Sequence, residues 1–230
     1  MSAWTEFVDY VTTSANWWGD RGIATRIADH VRISVAATVV SAAIAIPPAL
    51  WLGHIRRGGA AASAVVNVGR AVPSFAIIAL ALPISLRYGF GLGFWPTMVA
   101  LVALALPPIF TNTYAGVAGI DPAITDAARG MGMRGREVLW QVELPNAMPL
   151  LLTGVRISAV QIVATATLGA FVGFGGLGAF INEGFRQLDD GKQLTGAVFV
   201  AVLAIATEIL FGVGQRLLTP WTNRNRKGHP

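Results

Sequence analysis

Five stretches of this 230-residue chain stay apolar for twenty residues or more, running roughly over 31–53, 63–86, 94–118, 148–172 and 194–217. About 20 apolar residues in a helix cross the hydrocarbon of a bilayer, and a backbone in hydrocarbon must satisfy its own hydrogen bonds. The runs therefore predict an all-α polytopic membrane protein with about five crossings. Composition agrees: 54% of residues are hydrophobic and only 13% are charged, against about 25% charged in a soluble domain. Pro47-Pro48 and Pro107-Pro108 fall inside two of the runs. Membrane helices tolerate proline where neighbours satisfy the freed carbonyls, so kinks are expected rather than breaks. Arg70 and Pro73 interrupt the second run, whose span can begin near Ala71 with residues 60–70 along the interface.

Several chemistries are excluded early. The chain has no cysteine, so it has no disulfide, thiol nucleophile or cysteine metal site. His30, His54 and His229 are too scattered for a metal-ligand spacing, and no catalytic constellation appears. No metal site and no catalytic residue are expected. The net charge of +5 is not gathered into a basic run with aromatics before the last few residues, which argues against nucleic acid. Residues 1–22 carry Glu6, Asp9, Asp20 and Arg21 and lack the apolar core of a signal peptide. Trp4, Phe7, Val8, Val11, Ala15 and Trp18 recur at helical spacing. They predict a helix that either lies in the membrane interface, with Trp17 and Trp18 at headgroup depth, or packs on the bundle.

The basic residues orient the chain. Arg56, Arg57, Arg129, Arg134, Arg136, Arg216, Arg224, Arg226 and Lys227 fall on one side of five crossings. Arg21, Arg26, Arg32, Arg87, Arg186 and Lys192 fall on the other. The larger set sits in short loops and the tail, which predicts an outside N-terminus and a cytoplasmic C-terminus.

One polar stretch breaks the pattern. DAARGMGMRGREVLWQVELP, residues 126–145, holds six charged side chains. Each costs about 2.5–3.5 kcal/mol at the centre of a membrane helix, so six cost about 15 kcal/mol or more, and the stretch must lie outside the bilayer. Asp121-Pro122 reads as an N-cap followed by a first-turn proline. A short helix from there to about Arg129, left-handed glycines at Gly130 and Gly132, and a second short helix over 134–143 stopped by Pro145 are expected. Ala127 and Ala128 allow close approach, and Val138, Leu139 and Val142 form an apolar stripe. The product is a compact knob on two crossings.

The stretch resembles the cytoplasmic "EAA" signature of bacterial ABC importer permeases: Glu-Ala-Ala, three residues, Gly, nine residues, Ile, one residue, Leu-Pro. Here the chain reads Asp126-Ala127-Ala128, then Gly132, Val142 and Leu144-Pro145 at the same offsets. The resemblance implies a methionine-importer-like permease core, with residues 121–145 as the coupling segment that docks on a cytoplasmic ABC ATPase dimer. Asp126, Ala127, Ala128, Gly132, Val142, Leu144 and Pro145 would form the ATPase-coupling site, with Arg129, Arg134, Arg136 and Glu137 as candidate rim ion pairs. It implies no cofactor in this chain, ATP and Mg²⁺ being bound by the partner ATPase, and no enzymatic activity of its own. It implies a second permease subunit, identical or homologous, and an extracytoplasmic substrate-binding protein. "RAVPSFAIIALALPI", "LPPIFTNTYAGVAGIDPAITDAARGMGM" and the glycine-rich "ATATLGAFVGFGGLGAFINEGF" look like the osmoprotectant importers of glycine betaine, carnitine and choline. The glycines of the last suit a tight or re-entrant turn. Methionine and sulfonate importers share much of the pattern.

The expected organisation is an N-terminal extracytoplasmic segment, 1–28, a permease domain, 29–218, and a basic cytoplasmic tail, 219–230, in a bacterial plasma membrane with lipid around it. Polar residues at membrane depth mark candidate pathways. Ser74, Asn112, Gln161, Thr165 and Thr167 are the candidates for a translocation path, with interhelical hydrogen bonding as the alternative role. Glu208 is expected to pair with a basic residue of a neighbouring helix. Trp51, Trp95, Trp140 and Trp221 read as interface anchors. The rival is an ion-gradient-driven transporter, which would show paired mid-membrane acids and an inverted repeat. Neither is present in the sequence.

Overall fold

A computed structural model describes residues 2–59, 64 and 72–220, and every regular element among them is helical. In chain order the described α-helices are α1 (Ala3–Thr12), α2 (Ile23–His54), α3 (Ser74–Arg87), α4 (Phe94–Ala118), α5 (Pro122–Gly130), α6 (Gly135–Val138), α7 (Leu144–Thr165), α8 (Gly178–Gln187) and α9 (Asp190–Leu218). Among the described residues, four continuous helical stretches are long and apolar enough to cross a membrane: α2, α4, Gly135–Val172 and α9. The fifth expected crossing is represented by α3, which has 14 residues and is apolar. At about 1.5 Å per residue it is shorter than the hydrocarbon. The rest of that expected run, with Arg70 and the interfacial reading of 60–70, lies outside the described residues, as do most of the tail 219–230 and Trp221.

The proline pairs interrupt neither helix. Pro47-Pro48 lie inside α2 and Pro107-Pro108 inside α4. In α4 the Asn112 amide donates to Pro108 O at 2.8 Å and the Thr111 hydroxyl to Pro107 O. α2 starts at Ile23, well before the expected 31, because its first turns have polar partners. Arg26 reaches Glu183 at 2.8 Å, and buried His30 meets Val163 O through Nε2 at 2.9 Å. The Leu177 N–H donates to the other ring nitrogen at 3.3 Å, so both nitrogens of a neutral imidazole are satisfied.

The chain forms two compact units. The first comprises 1–39, 72–105 and 159–207. Its core joins Ile23, Leu177 and Phe180 to Tyr10, Trp17, Ile27 and Phe199. A second cluster gathers Ile78, Ala100 and Val172. The N-terminal helix ends at Thr12, earlier than the apolar spacing suggests, because Trp17 folds back. Its indole donates to Val11 O at 2.7 Å, and its ring meets Phe199 edge-on at 5.9 Å. That side packs on the bundle, whereas Trp4 and Trp18 stay exposed. The glycine-rich run makes a tight turn. A 3-10 stretch, Ala166–Val172, ends at Gly173 with φ +86°, and a Cβ on Gly178 would lie 2.2 Å from Thr167 O.

The second unit comprises 40–71, 106–158 and 208–230. Leu50, Val117 and Ala147 form its core with Ile46, Leu139 and Leu144. Its helices approach closely through small residues, as membrane helices do. A Cβ on Gly154 would sit 2.8 Å from both Asn112 Cβ and Pro108 O.

Candidate functional site

The polar stretch builds a compact cap on the second unit. Asp121 caps α5 as its sequence requires: its Oδ1 accepts from the Ala123 N–H at 2.9 Å, and Pro122 occupies the first turn. α5 turns Thr125 and Ala128 inward and leaves Asp126, Ala127 and Arg129 exposed. Asp126 and Arg129 meet at 3.4 Å on the surface. The turn that follows has Met131 at its tip, 79% exposed. Gly132 adopts φ +91°, a conformation that disfavours any side chain. Gly130 does not share that role: it is the last residue of α5 and is helical.

The chain then re-enters helix at once. The Arg134 N–H donates to Glu137 Oε2 at 2.6 Å, which starts α6. The expected apolar stripe faces the chain's own interior: Val138 is fully buried, and Leu139 joins the core cluster.

Pro145 does not stop the second helix, contrary to expectation. Residues Leu139–Glu143 form one wide π turn in which the Leu144 N–H donates to Leu139 O, and the helix continues without a break to Val172. The extra residue in that turn makes room for the ring, and proline, lacking an N–H, costs the ladder one donor. Beside it the Asn146 side chain donates to Val142 O at 2.7 Å. Leu144-Pro145 therefore joins the knob rigidly to the crossing.

Two residues unmarked in the sequence anchor the assembly. Glu143, in the π turn, is 2% exposed, and its Oε2 lies 2.6 Å from His54 Nδ1 at the end of α2. Gly135 packs beside the same imidazole, where a Cβ would lie 3.4 Å from Nε2. Arg56, with φ +51°, donates to Ile120 O at 2.7 Å. The available signal in the sequence is an acid in the last turn before an apolar run and a histidine at the end of another. Between these groups opens a cleft of about 370 Å³ lined by His54, Ile55, Arg56, Pro122, Thr125, Asp126 and Arg129.

The pathway candidates fall in both units. Asn112 belongs to the second unit and spends its amide on Pro108 O. Ser74, Gln161, Thr165 and Thr167 belong to the first, Ser74 at the start of α3 and the others on α7 and its 3-10 extension. Thr167 donates to Ala164 O at 2.8 Å, and Gln161 is exposed. Glu208 does find a basic partner, Arg156 on α7, which no motif in the sequence singles out. The first unit holds a second cleft of about 670 Å³ lined by residues that include Tyr10, Trp18, Phe180 and Glu183. Burial there, then the charges of Asp189 and Glu183, push the Tyr10 phenol above its usual pKa. Trp51, Trp95 and Trp140 are each about half exposed or more, in keeping with interface anchors.

Helices long and apolar enough to cross a membrane, joined to a compact charged knob, fit the class of polytopic membrane proteins. The chain belongs to the family of binding-protein-dependent transport system inner membrane components, whose profile matches residues 45–224. It is an importer permease that works with an ATPase and a substrate-binding protein. The carnitine transport permease protein OpuCB of Listeria monocytogenes is 37% identical over 83% of this chain and 85% of its own. The glycine betaine/carnitine/choline transport system permease protein OpuCB of Bacillus subtilis is 34% identical over 84% and 86%. The fold resembles an inward-facing structure of the MetNI methionine ABC transporter, with a TM-score of 0.69 and 24% identity over 84% of this chain and 96% of that one.

Proposed function

We propose that this chain forms half of the translocation path for a small quaternary ammonium osmoprotectant of the glycine betaine, carnitine and choline type. The observation that carries the solute class is the similarity to relatives bearing those solutes in their names, 34–37% identical over more than four fifths of both chains. A second permease subunit completes the path. The N-terminus lies outside, and residues 121–145 lie in the cytoplasm, where they dock on the ATPase dimer. The chain performs no covalent chemistry, and ATP and Mg²⁺ bind to the partner.

The geometry supports this mechanically. A helix, a glycine turn and a helix that continues through the π turn into a crossing make one rigid lever, pinned at its elbow by His54 and Glu143. Force applied at the knob is carried into α7 as rigid-body motion. The test is uptake by proteoliposomes holding the assembled importer with its binding protein. ATP-dependent uptake of glycine betaine, carnitine or choline is expected. ATP-dependent uptake of methionine or a sulfonate alone would replace the solute class, and ion-driven uptake without ATP would overturn the reading altogether.

A further inference from the structure

We propose that Arg156 and Glu208 form a solute subsite for zwitterions, the guanidinium taking the carboxylate and Glu208 facing the quaternary ammonium. This rests on the solute class proposed above. Both residues lie deep in apolar spans. Arg156 is twelve residues into α7 and Glu208 ten from the end of α9, about 18 Å and 15 Å along their helices. Within the apolar runs 148–172 and 194–217 the two lie eight and nine residues from an end, about 12–14 Å into a hydrocarbon layer about 30 Å thick. The two form a bidentate pair, with Arg156 Nε donating to Glu208 Oε2 at 2.9 Å and Nη2 to Oε1.

The pair is not closed off. Its side chains are 34% and 43% exposed. Charges at that depth face water or protein rather than lipid. Around the pair, α9 carries a separate stripe of exposed Ile209, Leu210, Val213 and Leu217. Glu208 sits instead with half-buried Phe211, Gly212 and Gln215. Gly212 leaves space at the guanidinium, where a Cβ would lie 3.6 Å from Arg156 Nη1. The helices do not depend on the ion pair for their contact. The Gln215 amide donates to Pro149 O at 3.0 Å and to Thr153 Oγ1 at 3.1 Å, which staples α9 to α7 independently.

An internal ion pair suits a zwitterion because it exchanges for one. Each charge trades its partner for the opposite end of the solute and recovers it on release, so no charge is left unpaired in either state. Choline, which lacks the carboxylate, would leave Arg156 unpaired.

Because the chain has no cysteine, Gly212→Cys in the assembled importer reports on this space directly. Modification by a water-soluble anionic methanethiosulfonate, slowed severalfold by glycine betaine, is expected. Modification only by a lipid-soluble maleimide, or modification that betaine does not slow, would overturn the subsite. Uptake by Arg156→Gln separates contact from packing: betaine uptake should fall about tenfold or more relative to wild type, and choline uptake far less. Equal losses for both solutes, or none, would overturn the subsite while the solute class stands. A wild-type importer that takes up neither solute would overturn the solute class and the subsite with it.

Discussion

The turn between α5 and α6 offers a clean internal control, because its two glycines have different backbones. Gly132 has φ +91° and open space around it, with no atom within 4 Å of where a methyl group would sit. Gly132→Ala therefore meets no clash, and its whole effect is conformational. Holding an L-residue in that region costs about 1–2 kcal/mol. The variant turn relaxes away, and restoring the docked shape requires the same 1–2 kcal/mol, which weakens ATPase capture by about 5- to 30-fold. Gly130 also has nothing within 4 Å, but it closes α5 as a helical residue. Gly130→Ala should be neutral or should stabilise the helix by about 0.5–1 kcal/mol. The assay is titration of the solubilised permease with its ATPase, followed by coupled uptake. Equal effects of the two substitutions, or full-strength capture by Gly132→Ala, would refute the argument that the turn's shape makes the docking surface.

Three further outcomes follow from the packing. His54→Ala leaves the buried Glu143 carboxyl, 2% exposed, without its hydrogen-bond partner and should destabilise the purified complex by about 1–3 kcal/mol, with Glu143→Gln costing less. Thermal unfolding in one detergent would rank the two. Gly154→Leu drives a side chain into Asn112 and Pro108 and should abolish assembly, whereas Gly214→Ala, with nothing within 4 Å, should not; size-exclusion chromatography separates them. Asp121→Ala removes the cap on Ala123 and should cost about 1 kcal/mol, recovered by Asp121→Asn, as read by thermal unfolding.

Much of this is legible in the sequence, and the exceptions have physical reasons. Apolar length alone marks four of the crossings, since hydrocarbon thickness fixes what a helix needs. Asp121-Pro122 and Gly132 are readable because a cap and a positive φ each admit few residue types. Pro145 escapes its rule because that rule assumes an α-helical register, and the π turn before it shifts the register by one residue. The start of α2 lies earlier than apolarity indicates, because apolarity falls where Arg26 and His30 have partners distant in sequence. His54 and Glu143 lie 89 positions apart, and Arg156 and Glu208 lie 52 apart, so only the fold could pair them. The stripe of Val138 and Leu139 is legible as a face, but not which way it turns.

The most direct test of the central claim uses two photo-crosslinking positions in the native membrane. Met131 is 79% exposed at the tip of the knob, and Phe185, on α8, is 71% exposed. With a benzophenone amino acid at each in turn, the ATPase should be captured from position 131 and the binding protein from position 185. Capture of the ATPase from position 185, or its absence from position 131 in an importer that still transports, would contradict the account.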